Sequence, residues 1–406
     1  MLLLSHMLKK FITVGTLNII DASGKRHEFG DTTQPSVTLR FHNKSLPRKL
    51  FLNPELHTGE AYMDGTLTFD GGGVYELLTL FGMNRKSLGT YPLQKALRKV
   101  WKAFRKLQQH NPAKKSQSNV AHHYDLSRKL YELFLDDDMQ YSCAYFKTPE
   151  DTLEEAQLNK KQHIADKLHI KDGQKILDIG CGWGGMALYL ASLADVQVLG
   201  VTLSKEQLAH AKERAKAMGL EHRVKFELMD YRHVKGPFDR IVSVGMFEHV
   251  GVGHYDEFFA KMKALLTEDG IALLHSIGHI SPPGTTGPWL RKYIFPGGYS
   301  PALSEVFAST ERNYLWISDM EVLRLHYAET LKAWHKRFEK NRAEIAELYD
   351  ERFCRMWEFY LISCEMAFRR GSAMVFQLQM AKTPTAAPLV REYANQLNPA
   401  KSVEAA

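Results

Sequence analysis

The segment that most constrains the fold is KILDIGCGWGG, residues 175–185. A strand-like run from Lys175 to Ile179 leads into Gly180, Gly182, Gly184 and Gly185, and a helical pattern begins near Met186. Glycines at a strand-to-helix turn let the backbone approach a ligand closely at the helix N-terminus, where amide N–H groups are free to donate. Gly180, Gly182 and Gly185 fit G-x-G-x-x-G, so the loop taken alone also suits a dinucleotide.

Two neighbouring features separate the possible nucleotides. A nicotinamide site wants an acid about 20 residues on, at the end of the second strand, to hold a ribose. That strand here ends in VLGVTLSKEQ, with no acid before Glu206. Asp178 instead precedes the first glycine, and a third strand, KFELMD, ends in Asp230 and Tyr231. Class I S-adenosylmethionine (SAM) methyltransferases commonly carry an acid at the first position and use the second for the adenosine. In an open α/β sheet the ligand lies beyond the carboxyl ends of the strands. The fourth strand, FDRIVSVGMFEHVG, therefore delivers Glu248 and His249, and the fifth, GIALLHSIGHI, delivers His275. MQYSCAYF places Tyr141, Ser142 and Cys143 just before the helix that leads into the first strand.

Along the chain, residues 1–92 predict a small α+β domain. FITVGTLNII and SVTLRFHN read as strands, and GEAYMDGTLTFDGGGVYELLTLFG as a turn-rich stretch leading into a short helix. Residues 93–118 hold a basic amphipathic helix and a linker. Residues 119–384 alternate strands with helices, which predicts βαβ units and a largely parallel sheet. Within this part, 319–370 reads as a long helical stretch outside the sheet and 372–382 as the last strand. Residues 385–406 read as a flexible tail.

Charge sharpens this division. The chain has 53 Lys and Arg against 46 Asp and Glu, a net +7. Residues 93–115 hold Lys95, Arg98, Lys99, Lys102, Arg105, Lys106, Lys114 and Lys115 with no acid, and without those eight the balance is 45 to 46. At about 100° per residue, Leu93, Leu97, Val100, Trp101, Phe104 and Leu107 share an arc of roughly 120°, with the bases opposite. A helix of this kind, 93–107, suits an anionic membrane surface. It equally suits a helix packed on the protein with a solvated basic face. Nucleic acid is disfavoured, because no nucleic-acid module accompanies the charge. No run of roughly 18 apolar residues occurs, so no spanning helix is expected. MLLLSHMLKK puts its leucines before its lysines, unlike an export signal. Cys143, Cys181, Cys354 and Cys364 have no metal-binding spacing, so reduced thiols and no metal site are expected.

HHYDLS, MQYSCAYF, LDIGCGWGG, GVTLSKEQ, MFEHVG, LLHSIG and HYAETLKAW occur in this order. Together they resemble the bacterial cyclopropane-fatty-acyl-phospholipid synthase family over about residues 55–382. The resemblance implies a Rossmann-like class I SAM-methyltransferase domain with a smaller N-terminal α+β domain. It implies transfer of a methylene from SAM to the cis double bond of unsaturated phospholipid acyl chains, through a carbocation deprotonated by bound bicarbonate. Tyr141, Ser142, Asp178, Gly180, Gly182, Gly184, Gly185, Thr202, Leu203, Gln207, Asp230 and Tyr231 fall at SAM positions. Cys143, Glu248, His275, Ile277 (through its backbone) and Tyr327 fall where the family holds bicarbonate. Tyr145, Phe146, Trp289 and Phe295 are candidates for an aromatic pocket around the cation. Segment 286–301, rich in Pro and Gly, reads as a loop over the acyl-chain channel.

The resemblance further implies a homodimer in the cytoplasm, associated peripherally with the inner face of the membrane through the basic helix. Two alternatives stay open. One is a SAM-dependent methyltransferase that leaves methyl-branched or methylene acyl chains. The other is an inactive lipid-binding protein on the same fold, against which the intact Cys143, Glu248, His275 and Tyr327 set argues.

Overall fold

Burial alternates along SVTLRF, with Val37, Leu39 and Phe41 inward, and this period of two makes Ser36–Phe41 a strand with one covered face. The structure is a computed structural model that describes residues 1–88 and 126–390. Ser36–Phe41 is β3 of an N-terminal sheet in the order β2-β1-β3-β4, where β1 is Thr16–Ile20, β2 Arg26–Gly30 and β4 Leu67–Gly71. β1 pairs antiparallel with β2 and parallel with β3, and β4 closes antiparallel on β3. Helices α1 (Leu2–Phe11), α2 (Leu46–Leu52), α3 (Pro54–Met63), α4 (Val74–Met83) and the single turn α5 (Arg85–Leu88) complete this unit.

Two expectations are corrected in this unit. The strand expected over FITVGTLNII begins only at Thr16. Leu4, Met7, Leu8 and Phe11 recur at helical spacing and bury one face of α1, which carries helix through Phe11. GEAYMDGTLTFDGG is more regular than a turn-rich stretch: GEAYM finishes α3 and LTFDG forms β4. Asn53 starts α3 by accepting a hydrogen bond from the Leu56 N–H, with Pro54 at the first helical position.

The second sheet has seven strands in the order β10-β11-β9-β8-β5-β6-β7. The strands are β5 Lys175–Ile179, β6 Gln197–Thr202, β7 Val224–Leu228, β8 Phe238–Val244, β9 Leu266–His279, β10 Trp316–Val322 and β11 Ala373–Ala381. β5 to β9 are mutually parallel, and β11 runs antiparallel between β9 and β10. The order reverses beside β5, and the glycine loop opens at that switch point. The helices, in chain order, are α6 Arg128–Phe134, α7 Leu153–Leu168, α8 Gly185–Leu193, α9 Lys205–Ala217, α10 Tyr255–Leu265 and α11 Pro288–Tyr293, followed by α12 Leu303–Arg312, α13 His326–Lys340, α14 Arg342–Leu348 and α15 Glu351–Arg369.

Three further differences from the sequence reading occur here. The start of the supposed helical stretch 319–370 is β10, an edge strand whose exposed residues hide the usual alternation; helix begins at His326. β11 is last in the chain but interior to the sheet. Segment 286–301 contains α11, because Pro288 occupies a first-turn position where its missing N–H costs nothing. The basic helix at 93–107 and its linker lie outside the described residues.

The two sheets are tied together by polar contacts through α3. Tyr62 donates to Glu358 (2.6 Å), Glu60 accepts from Lys292 (2.6 Å) and Tyr293 (2.9 Å), and Arg352 donates to Asp64 (2.8 Å). Trp289 of α11 lies against α3 at Gly59, where an added Cβ would come within 2.4 Å of the indole nitrogen.

Candidate active site

A cavity of about 150 Å³ opens at the switch point, lined by the β5–α8 loop, the ends of β6 and β7, the β8 end and the segment 139–142. Gly180 and Gly182 have φ of 80° and 52°, conformations that favour glycine, and nothing lies within 4 Å of a Cβ added at Gly182. The backbone there is open to a ligand. Gly184 and Gly185 do not line the cavity. Gly184 caps α8 with φ of 87°, and a Cβ on Gly185 would lie 2.3 Å from the Gln140 amide, so these two glycines serve close packing of helix and loop.

The other residues expected at this site line the cavity: Tyr141, Ser142, Asp178, Thr202, Leu203, Gln207, Asp230 and Tyr231. Asp178 is buried, its Oδ2 makes no hydrogen bond, and burial raises its carboxyl to about 7. Thr202 donates to Gln207 Oε1 (2.9 Å). Asp230 accepts from the Arg232 guanidinium (2.6 Å), which leaves its carboxyl below the ordinary range although burial acts the other way. The Tyr141 ring stacks on Trp334 (5.1 Å between centroids), and its hydroxyl pairs with that of Tyr360 (2.7 Å).

Segment 139–143 has no regular structure, and α7 holds it in place. Gln157 donates to the Gln140 and Ser142 carbonyls (3.2 and 3.0 Å), and Lys160 donates to Gln140 Oε1 (2.6 Å) and Ser142 Oγ (2.8 Å). Lys160 is fully buried, and burial lowers its ammonium to about 8, opposed by Asp136 nearby. Sequence reasoning missed both residues. Their partners lie 15 to 20 residues away in the chain, so no local pattern marks either residue.

A second cluster adjoins the cavity from the β8 and β9 ends. Glu248 Oε1 accepts the Ile277 backbone N–H at 2.6 Å, while Oε2 is buried without a hydrogen-bond partner. Burial raises this carboxyl to about 7, with the Ile277 N–H opposing. His275 is buried two residues earlier on β9, and burial holds its imidazole well below the ordinary value. The Gln377 amide donates to its Nδ1 (3.3 Å), so the neutral ring carries its proton on Nε2 as a donor.

Cys143 is buried with its thiol pushed well up by burial, so it is not a thiolate. The next residue, Ala144, donates its N–H to Thr330 on α13, one turn from Tyr327. His249, in the cavity wall, is kept neutral by burial, its value lowered to about 4.

The four aromatic candidates separate. Phe295 packs edge-on against Tyr360 (5.8 Å) and His249 (6.4 Å), beside the cavity. Tyr145 is stacked between His163 (4.3 Å) and His326 (4.8 Å), and Phe146 lies beyond His326. Trp289 belongs to the contact with α3. One group has metal-ligand spacing among the described residues, His335, Glu339 and Glu358, but the Arg342 guanidinium bonds both carboxylates, and this is an ion network.

The fold and the glycine-lined cavity define a class I SAM-dependent methyltransferase. Comparison with known proteins narrows this. Residues 111–378 match the family model described as mycolic acid cyclopropane synthetase, and residues 3–90 match a domain of unknown function, DUF7884. The cyclopropane-fatty-acyl-phospholipid synthase of Escherichia coli K12 is 46% identical over 260 residues, 64% of this chain and 66% of that one, just under two thirds of its length. The tuberculostearic acid methyltransferase UfaA1 of Mycobacterium tuberculosis is 34% identical over 92% of this chain and 89% of its own. The solved mycolic acid cyclopropane synthase CmaA1, in complex with SAH and CTAB, is 34% identical, with a TM-score of 0.62 over 67% of this chain and 99% of its own. The chain belongs to the mycolic acid cyclopropane synthetase family. Its larger part has the class I SAM-methyltransferase fold of that family.

Proposed function

We propose that the protein is a cyclopropane-fatty-acyl-phospholipid synthase, acting on the cis double bond of unsaturated phospholipid acyl chains. The observation that carries the reading is Glu248: a carboxylate sealed from water, anchored by one oxygen, with the other unpaired. A buried charge without partners is costly, and such a group is kept where a ligand completes it.

SAM, when bound, supplies a methyl group on a sulfonium. The residues present fit it: Gly182 gives open backbone, Asp178 offers an unused carboxylate oxygen, and Asp230 and Tyr231 close the far end. In this proposal Tyr141, Ser142, Gly180, Gly182, Thr202, Leu203 and Gln207 complete the site, with Gly184 and Gly185 shaping the loop.

Bicarbonate, when bound, supplies the base for the proton that the new methyl loses on ring closure. The residues fit it as well, since a hydrogen carbonate has both an O–H to donate and oxygens to accept. Glu248 would hold it through the acceptor Oε2, and His275 and Tyr327 would hold it through the ring N–H and the hydroxyl, with the Ile277 backbone acting through its hydrogen bond to Glu248. Cys143 packs beside it as a neutral thiol.

An unactivated alkene is a weak nucleophile, so its attack on the methyl leaves a carbocation that water would trap as an alcohol. Excluding water is therefore the task of the walls. Phe295, Tyr141 and Tyr360 cluster beside the cavity, and aromatic rings near a cation favour it.

The likeness to UfaA1 over nearly the whole chain favours one second reading, a methyl-branched or methylene product. The homodimer and the docking of the basic helix at the inner face of the membrane belong to the proposal. No helix among the described residues is long and apolar enough to cross a membrane. The test is to incubate the protein with SAM and unsaturated phospholipid vesicles and weigh the acyl chains. A gain of one methylene that resists hydrogenation supports a ring. A gain that hydrogenates further indicates a methylene branch, and no gain removes both enzyme readings.

A further inference from the structure

The interior of the N-terminal unit is hollow. Leu8, Ile19, Leu39 and Phe81 line one side of a chamber of about 620 Å³, and Phe359 and Met366 of α15 line the other. Protein interiors are packed densely enough to leave few voids larger than a water molecule. This chamber instead falls among ligand pockets, which enclose about 300–1,000 Å³.

Two cations stand in its wall. Arg85 and Arg370 are both exposed, Arg85 donates to Ser372 Oγ (3.3 Å), and neither has a carboxylate ion-pair partner among the described residues. Arg370 packs against Gly82 of α4, where an added Cβ would lie 2.8 Å from its Cβ, and Arg85 follows three residues later, so the two arginines stand in the same part of the wall. An apolar chamber with two exposed arginines in its wall is complementary to an amphiphile with a hydrocarbon tail and an anionic head.

The chamber also shares a wall with the candidate active site. Gly278 lines it, and the preceding residue, Ile277, holds Glu248. Tyr299 lines it, and its N–H donates to the Glu248 carbonyl (2.9 Å).

We propose that the chamber holds the second, unmodified acyl chain of the phospholipid whose unsaturated chain is being modified, with the phosphodiester on Arg85 and Arg370. The proposal rests on the phospholipid reading above. Both tails of such a lipid hang from one glycerol, so an enzyme that draws one tail from the bilayer must also shelter the other or leave its apolar surface in water. A chamber across one strand from Glu248 provides that shelter, and gives the N-terminal unit a part in substrate binding.

The test uses the full chain with SAM and vesicles of a phosphatidylglycerol bearing one oleoyl chain and one saturated chain ending in a diazirine. Irradiation is followed by peptide mapping. Crosslinks are expected in peptides covering residues 4–81 and 359–373. In Leu78→Trp, which fills the chamber from its wall, they disappear, and KM for the diacyl lipid rises about tenfold while KM for the oleoyl monoacyl lipid stays unchanged. The surface pair Arg85→Gln and Arg370→Gln raises the diacyl KM likewise without touching the core. Product formation with crosslinks confined to residues 139–146 and 244–250 overturns the chamber assignment and leaves the proposed function standing. No modified chain at all overturns the function, and the chamber proposal with it.

Discussion

The backbone N–H of Ile277 donates to Glu248 Oε1 at 2.6 Å, across the ends of two adjacent parallel strands. One hydrogen bond thus anchors one carboxylate oxygen, and the other is buried without a hydrogen-bond partner.

Glu248→Gln keeps the size and the hydrogen bond but cannot become an anion. SAM affinity, measured by calorimetry, is expected to stay the same while turnover falls by about 10²-fold or more, the scale of a lost acid–base contribution. Unchanged turnover would remove Glu248 from the base-holding role.

The same substitution has a signed effect on stability. Burial raises the Glu248 carboxyl from 4.5 to about 7, so the native state keeps this proton longer than the unfolded chain does. Stability therefore falls as pH rises from about 4.5 to 7, and the full penalty, ~3 kcal/mol, is present above 7. Without ligands, Glu248→Gln is expected to melt near the wild type at pH 4.5 and several degrees higher at pH 8. A wild type that melts higher at pH 8 would contradict the burial account.

In the proposed mechanism turnover carries the opposite dependence, because Glu248 Oε2 must be free of its proton to accept the O–H of the proposed bicarbonate. With bicarbonate kept saturating at every pH, kcat/KM is expected to rise through an apparent pKa near 7, to which Asp178 also contributes. A rate that is flat between pH 5.5 and 8 would argue against both carboxylates.

Lys160 positions the SAM-facing loop without lining the cavity itself. Lys160→Met leaves Ser142 Oγ and Gln140 Oε1 without their donor and Asp136 without its nearby cation. SAM binding is expected to weaken about tenfold, with Lys160→Arg failing to restore it because the buried space is fitted to an ammonium. Binding at wild-type strength in Lys160→Met would make the contact merely structural.

The basic segment makes a prediction that rests on sequence alone. Each base near an anionic surface contributes about 1 kcal/mol before screening. Replacing Lys95, Arg98, Lys99 and Lys102 with Gln should lower binding to anionic vesicles by more than tenfold and flatten its salt dependence, with little change in melting. Unchanged binding and salt dependence would remove this segment as the membrane contact.

Local features explain what was legible in the sequence. Gly180, Gly182, Asp178, Asp230 and Glu248 could be placed because each sits at a strand end whose apolar run announces it, and the parallel topology carries those ends to one edge. What escaped depends on partners distant in the chain. β10 is an exposed edge strand, so its residues alternate too weakly to be told from the helix that follows. α11 was hidden because its proline, a breaker elsewhere, occupies a first turn. Lys160 reads as a surface residue until the segment 139–143 is folded over it. The chamber is formed by N-terminal residues and α15 together, some three hundred residues apart, and no local pattern distinguishes its wall from an ordinary core.

The central claim is that the transferred methyl loses a proton to a base held at Glu248. Turnover with SAM carrying a fully deuterated methyl, followed by mass spectrometry of the acyl chains before and after hydrogenation, tests it most directly. The account predicts that each modified chain keeps two deuterium atoms and takes up no hydrogen at the new carbon. A product that keeps all three deuterium atoms as a methyl branch would contradict it.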